Sequence, residues 1–118
     1  MIVLVCGSRD YENYEHVKRT LDAIHAERPI TWVVNGGQTG ADTLAYNWCR
    51  QREVPCVTYF AQWTKYGRPA GPIRNARMLD EGKPDLVVAF HGGIGTRNMC
   101  RQAYDAGFEV IEIKEPKC

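Results

Sequence analysis

Short apolar runs alternate with helical patterns along the 118-residue chain, and this alternation limits the fold more than any other feature. The apolar, β-branched runs predict five strands, over residues 2–6, 30–34, 54–60, 84–90 and 108–113. Helical spacing and helix-stop residues predict four helices, over 14–26, 41–49, 72–79 and 97–106. Such alternation is typical of a parallel sheet covered on both faces. We therefore predict one α/β domain over residues 1–118, three-layered α/β/α, with a mainly parallel five-stranded sheet.

The charge balance and the apolar pattern exclude several classes of protein. Fifteen basic and fourteen acidic residues give a net charge of +1, which provides no overall basic surface for nucleic acid. The apolar runs are far too short to span a bilayer. The first residues lack the basic region and cleavage site of a signal peptide, so they are predicted to form a strand. We expect a cytoplasmic protein without membrane or general nucleic-acid partners.

The cysteine pattern predicts free thiols rather than disulfides or a metal site. The chain has five cysteines, an odd number, and none of them form a C-x-x-C pair. Most lie within strand or helix patterns, where a buried free thiol is the usual state. The expectation is a reducing compartment and no structural zinc.

A glycine-rich turn follows the fourth predicted strand and precedes a predicted helix. Glycine lets a backbone approach a phosphate, and the first N–H groups of a helix attract anions. Thr96 can cap that helix or offer its hydroxyl to the same anion. The turn therefore predicts an anion site, although glycine is also required by tight turns alone. Its candidate ligand-binding residues are Gly92, Gly93, Gly95 and Thr96.

The loops after the first and second predicted strands carry similar chemistry. Ligands on parallel sheets bind beyond the carboxyl ends of the strands, where the strand order reverses. In these two loops glycines permit close approach, a serine hydroxyl can bind phosphate or ribose, and an arginine can pair with phosphate. The candidate ligand contacts are Gly7, Ser8, Arg9, Gly36, Gly37, Gln38, Thr39 and Gly40.

Asp42 lies in the first turn of the helix after the second of these loops. A carboxylate there complements the helix dipole. This structural role and binding of a ribose hydroxyl are together favoured over the alternative, in which Asp42 acts as a general base. His91 before the central turn is likewise either a turn residue or a catalytic group.

The segment 61–72 is predicted to be a long irregular loop, which in a compact domain is often functional. Its aromatic side chains can stack on a base, and the cations in and just after it can hold anions. An arginine at the start of the next helix opposes the dipole, so a bound anion would account for it. The alternative is a solvated basic loop with aromatic residues packed beneath it. The candidates here are Trp63, Lys65, Tyr66, Arg68, Arg74 and Asn75.

Taken in order, these motifs resemble the SLOG superfamily, which joins the DNA-processing protein DprA and the LOG proteins. The chain is most similar to its YspA-like branch, of unknown function and frequent in bacteria and their phages, through the stretch 66–75. The resemblance implies a Rossmann-like fold with a nucleotide-type ligand across the glycine loops. No further cofactor is implied. A shallow site in a small chain, together with the resemblance, predicts a homo-oligomer.

The chain departs from the LOG hydrolases at two positions. Their motif reads Pro-Gly-Gly-x-Gly-Thr-x-x-Glu, whereas His91 replaces the proline here and Met99 replaces the glutamate. A thioether cannot move a proton. The favoured function is binding of a nucleotide or an NAD- or ADP-ribose-derived ligand, as sensor, carrier or sequestering protein. The alternatives are an N-glycosidic or phosphoester hydrolase using Asp42, and a single-stranded DNA-binding protein using the arginines and aromatics of the loops.

Overall fold

A computed structural model describes residues 1–114 of the chain. Its elements, in chain order, are β1 (Ile2–Cys6), α1 (Tyr14–Glu27), β2 (Trp32–Asn35), α2 (Ala41–Arg52), β3 (Cys56–Thr58), α3 (Trp63–Tyr66), α4 (Ala70–Gly82), β4 (Leu86–Phe90), α5 (Ile94–Asp105) and β5 (Val110–Ile113). Strand and helix alternate except where α3 and α4 follow one another. The predicted α/β class is confirmed.

The five strands form one parallel sheet in the order β3-β2-β1-β4-β5. The first strand lies at the centre of the sheet. The chain adds β2 and β3 on one side of β1, and then crosses back to add β4 and β5 on the other side. Val3 pairs with Val33 on one side and with Leu86 on the other. The strand order therefore reverses between β1 and β4, which is where such sheets bind ligands.

Alternate residues of the central strand enter two separate cores, which makes the fold three-layered. Val3 and Val5 pack into a core that includes Trp48 of α2. Leu4 packs on the opposite face, in a core that includes Met99 of α5. Because successive side chains of a strand point to opposite faces, a continuous apolar strand such as β1 must be covered on both sides. The layers thus follow directly from the sequence of β1.

Several element boundaries differ from the sequence prediction, and the differences in three regions affect the loops described above. The strand predicted over 54–60 is reduced to Cys56–Thr58, which pairs with β2 at the edge of the described sheet. The segment predicted to be irregular contains α3 and the start of α4, and Gln62 accepts the N–H groups that close the first turn of α3. The last helix begins at Ile94 rather than 97, with Gly93 as its N-cap. Thr96 therefore lies inside the first turn and does not cap the helix.

Four of the five cysteines fall within the described part of the chain, and all four are free thiols. Cys6, Cys49 and Cys100 are buried, whereas Cys56 is half-buried. Cys118 lies outside residues 1–114. Over the same range no helix has the length and apolar character needed to cross a membrane.

Candidate functional site

Ser8 joins three of the loops that the sequence singled out. Its backbone N–H donates to the carbonyl oxygen of His91, 2.9 Å away, which ties the loop after β1 to the loop after β4. Its own carbonyl accepts the N–H of Ala41 at 3.1 Å, the first residue of α2. The loops after β1, β2 and β4 therefore meet at the point where the strand order reverses.

This meeting requires glycine at two positions. A Cβ on Gly7 would lie 2.6 Å from the Cβ of Ala41. A Cβ on Gly40 would lie 2.1 Å from the carbonyl oxygen of Ser8, and the φ of Gly40 is +80°, in the region that favours glycine. The backbones of the three loops approach one another closely because these side chains are missing.

A cavity of about 500 Å³ opens beside these loops, a size typical of small-molecule sites. The loops after β1, β2 and β4, the segment from α3 into α4, and the first turns of α5 form its walls. Ten of the candidate residues line it: Gly7, Ser8, Arg9, Gln38, Trp63, Arg68, Arg74, Gly93, Gly95 and Thr96. Residues from all four predicted loops are therefore brought to one cavity.

The N-terminus of α5 forms part of the cavity wall, and no side chain in the described part of the chain caps it. The N–H groups of Ile94, Gly95 and Thr96 have no hydrogen-bond acceptor among residues 1–114. A side chain on Gly93 or Gly95 would meet nothing within 4 Å, so the backbone is open to the cavity. Unpaired N–H groups and the positive end of the helix dipole together favour an anion at this wall.

Trp63 of α3 provides an aromatic surface in the lining of the same cavity. Its ring reaches within 3.4 Å of the position that a Cβ on Gly71 would occupy, so it rests against the start of α4. The side chain is nonetheless 51% exposed. A tryptophan held in place and half-exposed beside a cavity can stack on a planar ring.

Arg74 is 6% exposed, and its guanidinium is held mainly by the protein itself. Nη1 donates to the carbonyl oxygen of Gly36 at 2.7 Å, and Nε donates to Oδ1 of Asn75 at 2.9 Å. Burial lowers the pKa of Arg74, while Asp42 opposes that shift. These acceptors account for an arginine near a helix start without a bound anion, which corrects the electrostatic argument drawn from the sequence.

Asp42 is 7% exposed and does not line the cavity. Its Oδ2 accepts the N–H groups of Gly36 and Gln38, both at 3.2 Å. Burial raises the pKa of Asp42 to about 6, against the opposing effect of these N–H groups and of Arg74. The carboxylate thus holds the loop after β2 in shape.

The other candidates lie around the cavity rather than on its wall. Asn75 donates to the carbonyl of Gly95 and to Oδ1 of Asn98, so it braces α4 against α5. Thr39 donates to the carbonyl of Arg9. Outside the cavity wall are Gly36, Gly37, Thr39, Gly40, Tyr66, Asn75 and Gly92.

The two positions at which the chain departs from the LOG hydrolases, His91 and Met99, also lie outside the cavity wall. His91 is exposed and faces a separate groove, together with Arg97 and Glu112. Met99 is 1% exposed and packs in the core beneath α5. The position that carries the glutamate in LOG hydrolases is thus buried here, with no side chain at the cavity.

The cavity also has wall residues that the sequence analysis missed: Asp10, Gly71, Pro72, Ile94, Asn98 and Arg101. Ile94, Asn98 and Arg101 share one face of α5. They were missed because this helix was predicted to start three residues late, at 97. With the helix starting at Ile94, steps of four and then three residues lead to Asn98 and Arg101. Asp10 lies in the loop after β1, next to the candidate Arg9, so the reasoning applied to that loop could have included it.

Comparisons with known proteins identify the family to which the chain belongs. A family model for the YspA, cpYpsA-related SLOG family matches residues 1–66. The Gene 61 protein of Mycobacterium phage D29 is 37% identical over 119 residues, which cover 94% of this chain and 94% of the relative. That relative extends the similarity through the β4–α5 turn, beyond the residues that the family model matches. The chain belongs to the YspA, cpYpsA-related SLOG family.

Proposed function

We propose that this protein binds a nucleotide or a related phosphate-bearing ligand in the cavity beside Ser8 and does not hydrolyse it. Membership of the SLOG family suggests nucleotide-related ligand binding at a general level. The finer proposal is that the ligand is retained intact, so that the protein acts as a sensor, carrier or sequestering protein.

One observation carries the proposal: a helix N-terminus whose N–H groups have no acceptor among residues 1–114 lines the same cavity as a half-exposed tryptophan. The N–H groups of the first turn of α5 suit a phosphate. Trp63 suits the flat face of a base. Phosphate and base are joined in a nucleotide, and the cavity volume is of the right order for such a molecule.

The wall of the cavity offers little for acid–base chemistry. Asp10 is the one carboxylate among its lining residues, and it is exposed to solvent. Asp42, with its raised pKa, would be the natural proton donor, but its Oδ2 is engaged by Gly36 and Gln38. Hydrolysis of an N-glycosidic bond needs a side chain positioned at the bond to activate the water or to protonate the leaving base. This shortage supports binding over hydrolysis.

The test is calorimetric titration with nucleoside phosphates, using Gly95→Asp and Gly95→Asn as a matched pair. A side chain at Gly95 enters open space, so both variants should fold. An aspartate in the first helical turn favours the helix but repels a phosphate. We expect Gly95→Asp to weaken binding by tenfold or more, with a much smaller loss in Gly95→Asn. Equal losses in the two variants would contradict a phosphate at this wall.

Retention is tested by incubating the wild-type protein with each nucleotide that binds and separating the products by chromatography. The proposal expects the intact nucleotide to be recovered. Release of a free base or a ribose phosphate would instead support the hydrolase alternative. In that case Asp10→Asn and Asp42→Asn identify which carboxylate takes part, because only the reacting one should abolish turnover while leaving the ligand bound.

A further inference from the structure

We propose that Arg68 and Arg101 form a second anion-binding end of the cavity, which selects nucleotides that carry a second phosphate group. This inference rests on the proposed function, because it assigns a finer specificity to the same cavity. The first phosphate is placed at the first turn of α5. The second would lie between Arg101, farther along α5, and Arg68, on the segment between α3 and α4.

Arg101 faces the cavity because of its position on α5. Ile94, Asn98 and Arg101 are spaced by four and three residues and share one helical face, and all three line the cavity. A neighbouring face carries Met99 and Cys100 into the core. At 1.5 Å per residue, the backbone of Arg101 lies about 10 Å farther along the helix than that of Ile94. A single phosphate at the first turn therefore leaves this end of the wall unused.

Arg68 lines the cavity from the turn between α3 and α4, a different segment from Arg101. Gly67 before it has a φ of +66°, and Pro69 after it has the constrained φ of proline, −66°. The segment also lies next to Trp63, the surface assigned to the base. An arginine beside the base and another on α5 can each present a fork of N–H donors to phosphate oxygens.

Both guanidinium groups are free to meet a ligand. Over residues 1–114, the ion pairs involve Lys18, Arg52 and Arg77, and neither Arg68 nor Arg101 has a carboxylate partner. Among the residues that line the cavity, four arginines face a single carboxylate, Asp10. Since Arg74 is already bonded to Gly36 and Asn75, the charge available for a second phosphate comes chiefly from the other arginines.

The wall that carries Arg101 is braced before any ligand arrives. Oδ1 of Asn98 accepts from Asn75 at 3.1 Å and from Gln102 at 2.7 Å. Gln102 also donates to the carbonyl oxygen of Pro72 in α4. These bonds fix α5 against α4 on either side of Arg101. Binding then has to order little more than the arginine side chains, which keeps its entropic cost low.

The experiment compares ligands that differ by one phosphate. Calorimetry gives Kd for AMP, ADP and adenosine 3′,5′-bisphosphate, and for the corresponding guanine nucleotides, since the base is not assigned. In the wild-type protein, a second phosphate should lower Kd by about tenfold or more in at least one series, as expected for charge-assisted hydrogen bonds. In Arg101→Gln and Arg68→Gln, the loss of affinity should be several times greater for the two-phosphate ligand than for the monophosphate.

Arg97→Gln is the matched control, because Arg97 lies on the same helix but lines a different groove. It removes the same charge and should preserve the preference for the second phosphate. Equal losses in Arg97→Gln and Arg101→Gln, or equal losses for one-phosphate and two-phosphate ligands, would overturn the proposal. Binding of AMP without any gain from a second phosphate overturns this subsite alone. Failure of every probe, AMP included, contradicts the proposed function and the subsite with it.

Discussion

Arg74 donates from Nη1 to the carbonyl oxygen of Gly36 across 2.7 Å, which ties α4 to the loop after β2. The contact is possible because Gly36 has no side chain, since a Cβ there would lie 2.7 Å from the same nitrogen. Asp42 holds the other side of this loop through the N–H of Gly36. A buried cation and a buried carboxylate thus hold one loop without a direct ion pair between them.

Replacing Arg74 should therefore destabilise the fold. Arg74→Met removes two hydrogen bonds made by a charged group and leaves the carbonyl of Gly36 buried without that partner. We expect the free energy of unfolding to fall by about 2–3 kcal/mol, measured by urea denaturation. Arg77→Met is the matched control on the same helix, where the exposed pair with Glu81 should contribute less than about 1 kcal/mol. A loss no larger than that control would show that Arg74 does not hold the loop.

The sheet was predictable because its strands are buried on both faces. β1 and β4 read as continuous apolar runs, and such runs between helical patterns specify a parallel sheet. The loops of the site were predictable for the same reason, since they must follow the carboxyl ends of those strands. The expected homo-oligomer does not follow from the fold of one chain and stays a prediction.

Local sequence was a poorer guide to the start of α5, although the starts of α1 and α2 agree with the prediction. Gly93 and Gly95 favour a turn, yet α5 begins between them, and Arg97 donates its N–H to the carbonyl of Gly93. Packing of Met99 and Cys100 against the sheet outweighs the low helix propensity of glycine. The buried role of Arg74 was equally hidden, because its acceptor is a backbone carbonyl 38 residues away.

Gly40→Ala should disrupt the junction of the loops around Ser8. The substitution forces a residue with a Cβ to a φ of +80° and places that atom 2.1 Å from the carbonyl oxygen of Ser8. The left-handed backbone alone costs about 1 kcal/mol or more, and the clash adds to it. We expect a loss of at least about 2 kcal/mol in unfolding free energy and weaker nucleotide binding. The readouts are urea denaturation and calorimetry.

Gly93→Ala is the control for this substitution, because a Cβ at that position meets nothing within 4 Å and the φ of Gly93 is −97°. Its stability should stay within about 1 kcal/mol of the wild-type protein. If Gly40→Ala were as stable as Gly93→Ala, the close approach of the two loops would not be a requirement of the fold.

Asp42 should make the protein less stable as the pH rises from 4 to 7. Its pKa is about 6 in the folded chain, above the value near 3.9 of an unfolded chain. Around pH 4 and below, the folded state keeps the proton and gains from doing so. As the pH rises through 6, folding must bury a carboxylate, so this stabilisation is lost. The full effect is about 3 kcal/mol, from about 1.4 kcal/mol per pKa unit.

Urea denaturation of the wild-type protein and of Asp42→Asn, at several pH values from 4 to 7.5, measures this effect. The asparagine cannot ionise, so stability relative to the wild-type protein should increase with pH in this variant. Asp22→Asn is a control of opposite sign, because hydrogen bonds from Arg52 and Trp48 lower the pKa of Asp22. Relative to the wild-type protein, Asp22→Asn should lose most stability at neutral pH and less in acid. A difference between wild type and Asp42→Asn that stays constant with pH would mean that Asp42 ionises as it does in the unfolded chain.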